Sequence, residues 1–234
     1  MGKDLVIIGK HSIPFKNKEI ERKSNVIDLL NSLKLENSEF LLEMCKTWNS
    51  SFKNENEKIR KEEEQELERC LKIFSWKFTE LEDDECCFDS KQYILEGPYG
   101  LDLELNKYFF VFHIWIGRYY QWFDKKDTYA LLWREKWRLI ISKITNILGG
   151  DYAMYFPDNM SDLSIYLPWD YYFPNEMVEH LKTEIKDLDQ VVEVISERYS
   201  KPITLTEADK MFEERKKDPF VVDRFEDLDK TLRI

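Results

Sequence analysis

The sequence predicts an α+β protein, an antiparallel sheet covered by helices, with a helical segment towards the N-terminus. Three features lead there. Apolar residues recur at helical spacing before residue 73. Between residues 74 and 116 the pattern changes to period-2 alternation, interrupted by tight-turn residues. A long one-sided helix then follows at 128–148, broad enough to cover a sheet face. Strands joined in sequence by tight turns pair antiparallel, which separates this class from a doubly wound parallel sheet.

Residues 4–8 (DLVII) are a short apolar, β-branched run and read as a buried strand. Val26, Leu29, Leu30 and Leu33 recur at i, i+3, i+4 and i+7, a short amphipathic helix with Ser24 or Asn25 as its N-cap. Ser38 can cap a second helix carrying Phe40, Leu41, Met44, Cys45 and Trp48. Residues 53–72 mix both signs of charge at spacings of three and four. Ile59, Leu67, Cys70 and Leu71 form a thin apolar seam there, so a solvated helix is expected, with a tether as the alternative. Phe74, Trp76 and Phe78 alternate with polar residues as a strand, and 80–85 (ELEDDE) is an acidic turn.

Residues 97–100 (GPYG) carry turn chemistry. Leu101, Leu103 and Leu105 then mark a half-buried strand, and Asn106-Lys107 a hairpin connection. Residues 108–116 (YFFVFHIWI) are apolar on both faces, as in a central strand covered twice. The helix at 128–148 keeps Trp133, Trp137, Ile140, Ile141, Ile144, Ile147 and Leu148 on one side, starts at Asp127 or Thr128, and stops at Gly149. A strand at 152–156 ends at Pro157, and 163–167 is a further edge segment. Helical patterns follow at 176–186 and 189–198. Thr206 opens a last helix with Asp209 in the capping-box position, and 220–222 is a final strand. The organisation expected is an N-terminal segment, 1–72, packed on an α+β core, 73–234.

The net charge of −11 repels phosphate backbones and anionic membranes, so neither nucleic acid nor a membrane is expected as a partner. It suits attraction to a basic protein. No run approaches the ~18 apolar residues of a membrane helix. The apolar stretch at 5–8 is too short for a signal-peptide core, and the expected compartment is the cytoplasm, with Cys45, Cys70, Cys86 and Cys87 as free thiols.

No motif for chemistry emerges, and no cofactor or metal is expected. The glycine-rich phosphate loops are missing, and Gly149-Gly150 follows a helix, where the dipole has the wrong sign for phosphate. His11, His113 and His180 are scattered and Cys86-Cys87 lacks the spacing of a zinc site; nearby Asp83, Asp84 and Glu85 would suppress a thiolate. His113 lies among aromatics and reads as core, while His180 is not part of an H-E-x-x-H pattern. A dispersed carboxylate site, possible with a divalent metal, would draw first on Asp151, Asp158, His11 and Arg118.

The remaining clue is aromatic. Arg118, Tyr119, Tyr120 and Trp122 form one cluster and Trp169, Tyr171 and Tyr172 a second, each in or beside an expected loop. Such residues are enriched at binding hot spots, though they also line sheet edges within single domains. Acids that steer and aromatics that anchor suit a non-catalytic interaction protein with a basic partner. In composition the chain is similar to small acidic bacterial proteins of the immunity or inhibitor kind, which neutralise a basic, toxin-like partner. Two alternatives stand beside this: the enzyme with a dispersed site, and a structural subunit that docks through 53–72.

Overall fold

A computed structural model describes residues 5–13, 19–51, 57–79, 93–105, 109–113, 122–123, 128–157, 188–190, 192–193, 202–213 and 221–234. Seven strands make one antiparallel sheet: β1 (Leu5–Lys10), β2 (Lys77–Thr79), β3 (Tyr93–Gly97), β4 (Leu101–Leu105), β5 (Phe109–His113), β6 (Ala153–Pro157) and β7 (Val221–Asp223). Their order is β2-β3-β4-β5-β1-β6-β7. Among the described residues the helices are α1 (Glu19–Ser32), α2 (Glu39–Ser51), α3 (Glu57–Cys70), α4 (Thr128–Ile147) and α5 (Leu205–Glu213), with 3-10 turns at Leu35–Asn37 and Pro98–Gly100. The fold class is the one the alternation and the tight turns predict.

The sheet is a meander from β2 to β5, to which β1 adds as the next strand. β1 therefore sits inside the sheet, between β5 and β6. Register puts Leu103, Phe112, Ile7, Tyr155 and Val221 in one row across five strands. α4 covers this face: the Trp137 ring meets Phe112 edge-on at 6.0 Å and Phe40 of α2 at 5.2 Å. Ile8, Phe109, Val111 and Met154, on the opposite face, are buried as well, so the central strands are covered twice. At Gly9 a Cβ would overlap the ring of Phe110, its cross-strand partner, and only glycine lets that ring lie over the strand.

Local chemistry sets the helix ends. Ser38 Oγ accepts the Leu41 N–H at 3.1 Å, so Ser38 is the N-cap of α2. Gly149, at φ 82, ends α4 in a Schellman arrangement, with Gly149 N–H on Asn146 O and Gly150 N–H on Thr145 O. α1 begins earlier than its apolar spacing suggests: Glu19–Lys23 form a charged first turn that carries no periodic signal, so Ser24 and Asn25 lie within the helix and are not its caps. The last helix also differs from expectation. Glu207 accepts the Thr204 N–H and hydroxyl at 2.8 Å, and Thr204 Oγ1 accepts the Glu207 N–H at 3.3 Å. The capping box is thus Thr204–Glu207, two residues before Thr206–Asp209.

The charged helix α3 docks on α2 through its thin seam, where Cys45 and Cys70 are buried free thiols. A hydrogen bond between them holds the Cys45 thiol below its ordinary pKa and pushes that of Cys70 up. The strand expected from Phe74 is confined to Lys77–Thr79, because Phe74 is solvent-exposed and Trp76 is tied by its backbone N–H to Asn31 Oδ1 at 2.8 Å. β3 has no sequence signal because Glu96 stands at a buried strand position. Arg69 of α3 and Lys77 Nζ, the latter at 2.8 Å, neutralise it there. The expected elements at 80–85, 106–107, 163–167, 176–186 and most of 189–198 lie outside the described residues. No described helix is long and apolar enough to cross a membrane.

Candidate functional site

Two arginines one turn apart on α4 organise the β6–β7 end of the sheet face that α4 covers. Arg134 and Arg138 share the buried stripe of Trp137 and Ile141, and Arg138 is only 1% exposed. Arg138 donates to Asp223 through Nε at 2.7 Å and Nη2 at 2.9 Å, to Asp227 through Nη2 at 2.6 Å, and to Glu135 through Nη1 at 2.8 Å. The Tyr155 hydroxyl donates to Asp223 Oδ2 at 2.7 Å, and the Phe225 N–H to Asp223 Oδ1 at 2.9 Å. Asp223 therefore accepts four hydrogen bonds, the capacity of a carboxylate. It is a saturated structural acceptor.

Arg134 clamps α5 in the same way. Its Nη1 and Nη2 reach Asp209 at 2.8 and 3.2 Å, and Nη1 also donates to Trp122 O at 3.0 Å. Burial, followed by the Asp223 charge, pushes the Tyr155 phenol well above its ordinary pKa, so it remains a donor. Burial alone would lower the Arg138 guanidinium, but the hydrogen bonds and charge of Asp223 outweigh it and raise the value. At Asp227 burial is outweighed by Arg138, which holds the carboxyl below the usual range.

A cleft of about 400 Å³ opens on the solvent side of this network, between the start of α5 and β7 with the turn that follows it. Ile203, Leu205, Val222 and Phe225 contribute its apolar lining; Asp223, Glu226 and Asp227 supply its carboxylates. Its geometry is set locally. The capping box holds Thr204, the Val222 N–H donates to Ile203 O at 3.0 Å, and Phe225 is held at φ 59 by its bond to Asp223. The volume lies within the range typical of ligand sites, about 300–1,000 Å³.

A second polar cluster lies at the neighbouring end of β1 and β6. The Tyr152 hydroxyl donates to Asp189 Oδ1 at 2.8 Å, and Lys10 Nζ to Asp189 Oδ2 at 2.6 Å. Lys10 and Arg224 both stand against the Tyr152 ring, at 5.5 and 5.3 Å from its centroid. Arg224, which also lines the cleft, pairs with Asp151 at 3.5 Å. Burial and the Asp189 hydrogen bond raise the Tyr152 pKa. Asp189 is held low, because Lys10 and Tyr152 together outweigh its burial.

Of the residues expected at a partner face, Trp122 is described, and it is core. It is 3% exposed, its ring stands 5.2 Å from that of Tyr155, and its carbonyl receives Arg134. A ring so enclosed has no face to present to a partner. Arg118, Tyr119, Tyr120, Trp169, Tyr171 and Tyr172 lie outside the described residues, as do Asp158 and His180. Asp151 is exposed and paired with Arg224 and Lys10. His11 is buried, with Nδ1 accepting the Ile13 N–H at 3.1 Å. Among the described residues no three His, Cys, Asp or Glu side chains gather as metal ligands.

Arg134, Arg138, Asp209, Asp223 and Asp227 are the site residues that sequence reading missed. One signal was available: two arginines spaced i, i+4 on the same stripe as Trp137 and Ile141 must find buried acids. The class this defines is an antiparallel α+β protein with a charge-clamped C-terminal edge and an acidic cleft beside it. The chain matches no protein-family model, no curated protein and no solved structure.

Proposed function

We propose that this chain is a non-catalytic interaction protein for a basic protein partner, and in its most concrete form an inhibitor of the immunity type that neutralises a basic toxin. The observation that carries the reading is the division of labour among the carboxylates. Asp209 and Asp223 are buried against arginines, whereas Glu226 is exposed and the Asp227 side chain is 62% exposed, both beside an apolar cleft. An apolar centre with an acidic rim is the usual form of a site that steers and then seats a cationic surface. The net charge of −11 supports the same direction of steering.

The test is capture of a partner by the immobilised chain, followed by binding of the purified pair across a salt series. Between about 0.01 M and 1 M salt the Debye length falls from roughly 30 to 3 Å. A basic partner should therefore lose affinity steeply, mainly through a slower association rate. Failure to capture any protein at low salt, or capture of one whose binding ignores salt, would sink the reading.

A further inference from the structure

We infer that the cleft between the start of α5 and β7 is the anchor of this interface, and that it receives an arginine side chain of the partner. The inference rests on the binding reading above and adds the place and the chemistry. Size and lining come first. About 400 Å³ bounded by Ile203, Leu205, Val222 and Phe225 holds a long side chain with its aliphatic stem against apolar walls.

Charge then selects the sign. Asp223, Glu226, Asp227 and Glu135 bring four carboxylates to the cleft and the network behind it, against the guanidiniums of Arg138 and Arg224. Arg224 is turned to the Tyr152 ring and Asp151. The surplus is negative. The α5 N-terminus would ordinarily favour an anion, but Glu207 already engages the Thr204 end in the capping box. An anionic occupant is thus disfavoured twice, by the surplus of carboxylates and by the carboxylate already installed.

The protein itself shows the chemistry from the inner side. Arg138 approaches from the core and docks Nη2 on Asp227 Oδ1 at 2.6 Å, while most of that carboxylate faces solvent. Arg138 is in turn fixed by Asp223, so Asp227 is held in place before a partner arrives. A guanidinium entering from solvent meets a pre-oriented carboxylate, a second one on Glu226, and an apolar lining for its stem. A planar cation that forms paired hydrogen bonds suits two carboxylates better than an ammonium point charge.

The experiment uses the full chain and fluorescent hexa-arginine at about 0.15 M salt, where the Debye length is about 8 Å, with hexa-lysine as comparison. Three variants are measured beside the parent, each checked for an unchanged melting temperature. Glu226→Lys reverses charge at the cleft; Asp28→Lys makes the same charge change on the exposed side of α1. Thr206→Trp fills the cleft mouth without changing charge. Glu226→Lys and Thr206→Trp should each weaken hexa-arginine binding by about tenfold or more, as loss of an interface hot spot does. Asp28→Lys should change it less than about twofold, as a remote surface charge does in salt. Hexa-lysine should bind the parent more weakly than hexa-arginine.

Equal losses from Glu226→Lys and Asp28→Lys, with Thr206→Trp silent, would mean a diffuse acidic field. That overturns the anchor and leaves the basic-partner reading standing. Equal binding of the two peptides overturns the choice of arginine. Absence of hexa-arginine binding overturns the anchor outright, while the salt-dependent capture above decides the wider reading by itself.

Discussion

Replacing Arg138 by methionine tests whether the clamp behind the cleft is a true buried ion network. The substitution keeps the aliphatic stem and removes donors to Asp223, Asp227 and Glu135. Asp227 can turn to water. Asp223 cannot: it is buried and keeps only the Tyr155 hydroxyl and the Phe225 N–H. Stranding one partner of a buried pair costs about 3–5 kcal/mol. For a chain of this size each kcal/mol moves the melting temperature by roughly 2–4 °C, so the expected fall is about 6–20 °C. The comparison is Arg224→Met, whose pair with Asp151 is exposed on both sides and should cost less than about 1 kcal/mol. Urea denaturation supplies the free energies. Adding Asp223→Asn to Arg138→Met should recover part of the loss, with a coupling of roughly 1–3 kcal/mol. If Arg138→Met costs no more than Arg224→Met, or if the Arg138–Asp223 cycle is additive, the network is solvated and the account of the cleft's support is wrong.

Thr204→Ala should destabilise by about 0.5–2 kcal/mol through loss of the α5 cap. Thr206→Ala should stay within about 0.5 kcal/mol, which separates the two possible capping boxes by urea midpoint. Gly9→Ala should cost about 1–3 kcal/mol or more, because its Cβ would overlap the Phe110 ring in a packed sheet; unchanged stability would mean that the ring is free to move. Asp189, Asp227 and Glu66 are all held below their ordinary pKa. Their stabilisation is complete above the unfolded value, near pH ~4, and is lost as pH falls through the lower folded values. Melting temperature should therefore drop more steeply below about pH 4 in the parent than in Asp189→Asn, and parallel curves would refute the Lys10–Asp189–Tyr152 cluster as a source of pH dependence.

Sequence alone conveyed what depends on local pattern. The alternation of Leu101, Leu103 and Leu105, the doubly apolar run around Phe109–His113, the Ser38 cap and the Gly149 stop all correspond to features within a few residues of one another. What failed depends on distant partners. Glu96 hides β3 because the residues that neutralise it, Arg69 and Lys77, lie on α3 and β2. Trp122 reads as a surface aromatic because it is the helix α4 arginine and the β6 tyrosine that enclose it. The site acids escaped for the same reason. Asp209 and Asp223 are ordinary acids in isolation, separated by 75 and 85 residues from the arginines that bury them.

That separation bears on why the ion pairs are there at all. A buried pair rarely adds stability over a well-packed apolar pair, since desolvation offsets much of the attraction. What it adds is position. Arg134 and Arg138 are one helical turn apart, and each takes a different C-terminal acid, Asp209 on α5 and Asp223 at the end of β7. Displacing 202–234 along α4 would leave charges unpaired in the core, a cost of several kcal/mol for each stranded ion. An apolar seam would tolerate such sliding far more readily, because the hydrophobic effect is not directional. The clamp therefore fixes the register of α5 against β7, and the cleft is the gap between those two elements. A site that must present Glu226 and Asp227 at a set spacing to an incoming cation needs that register more than it needs extra stability.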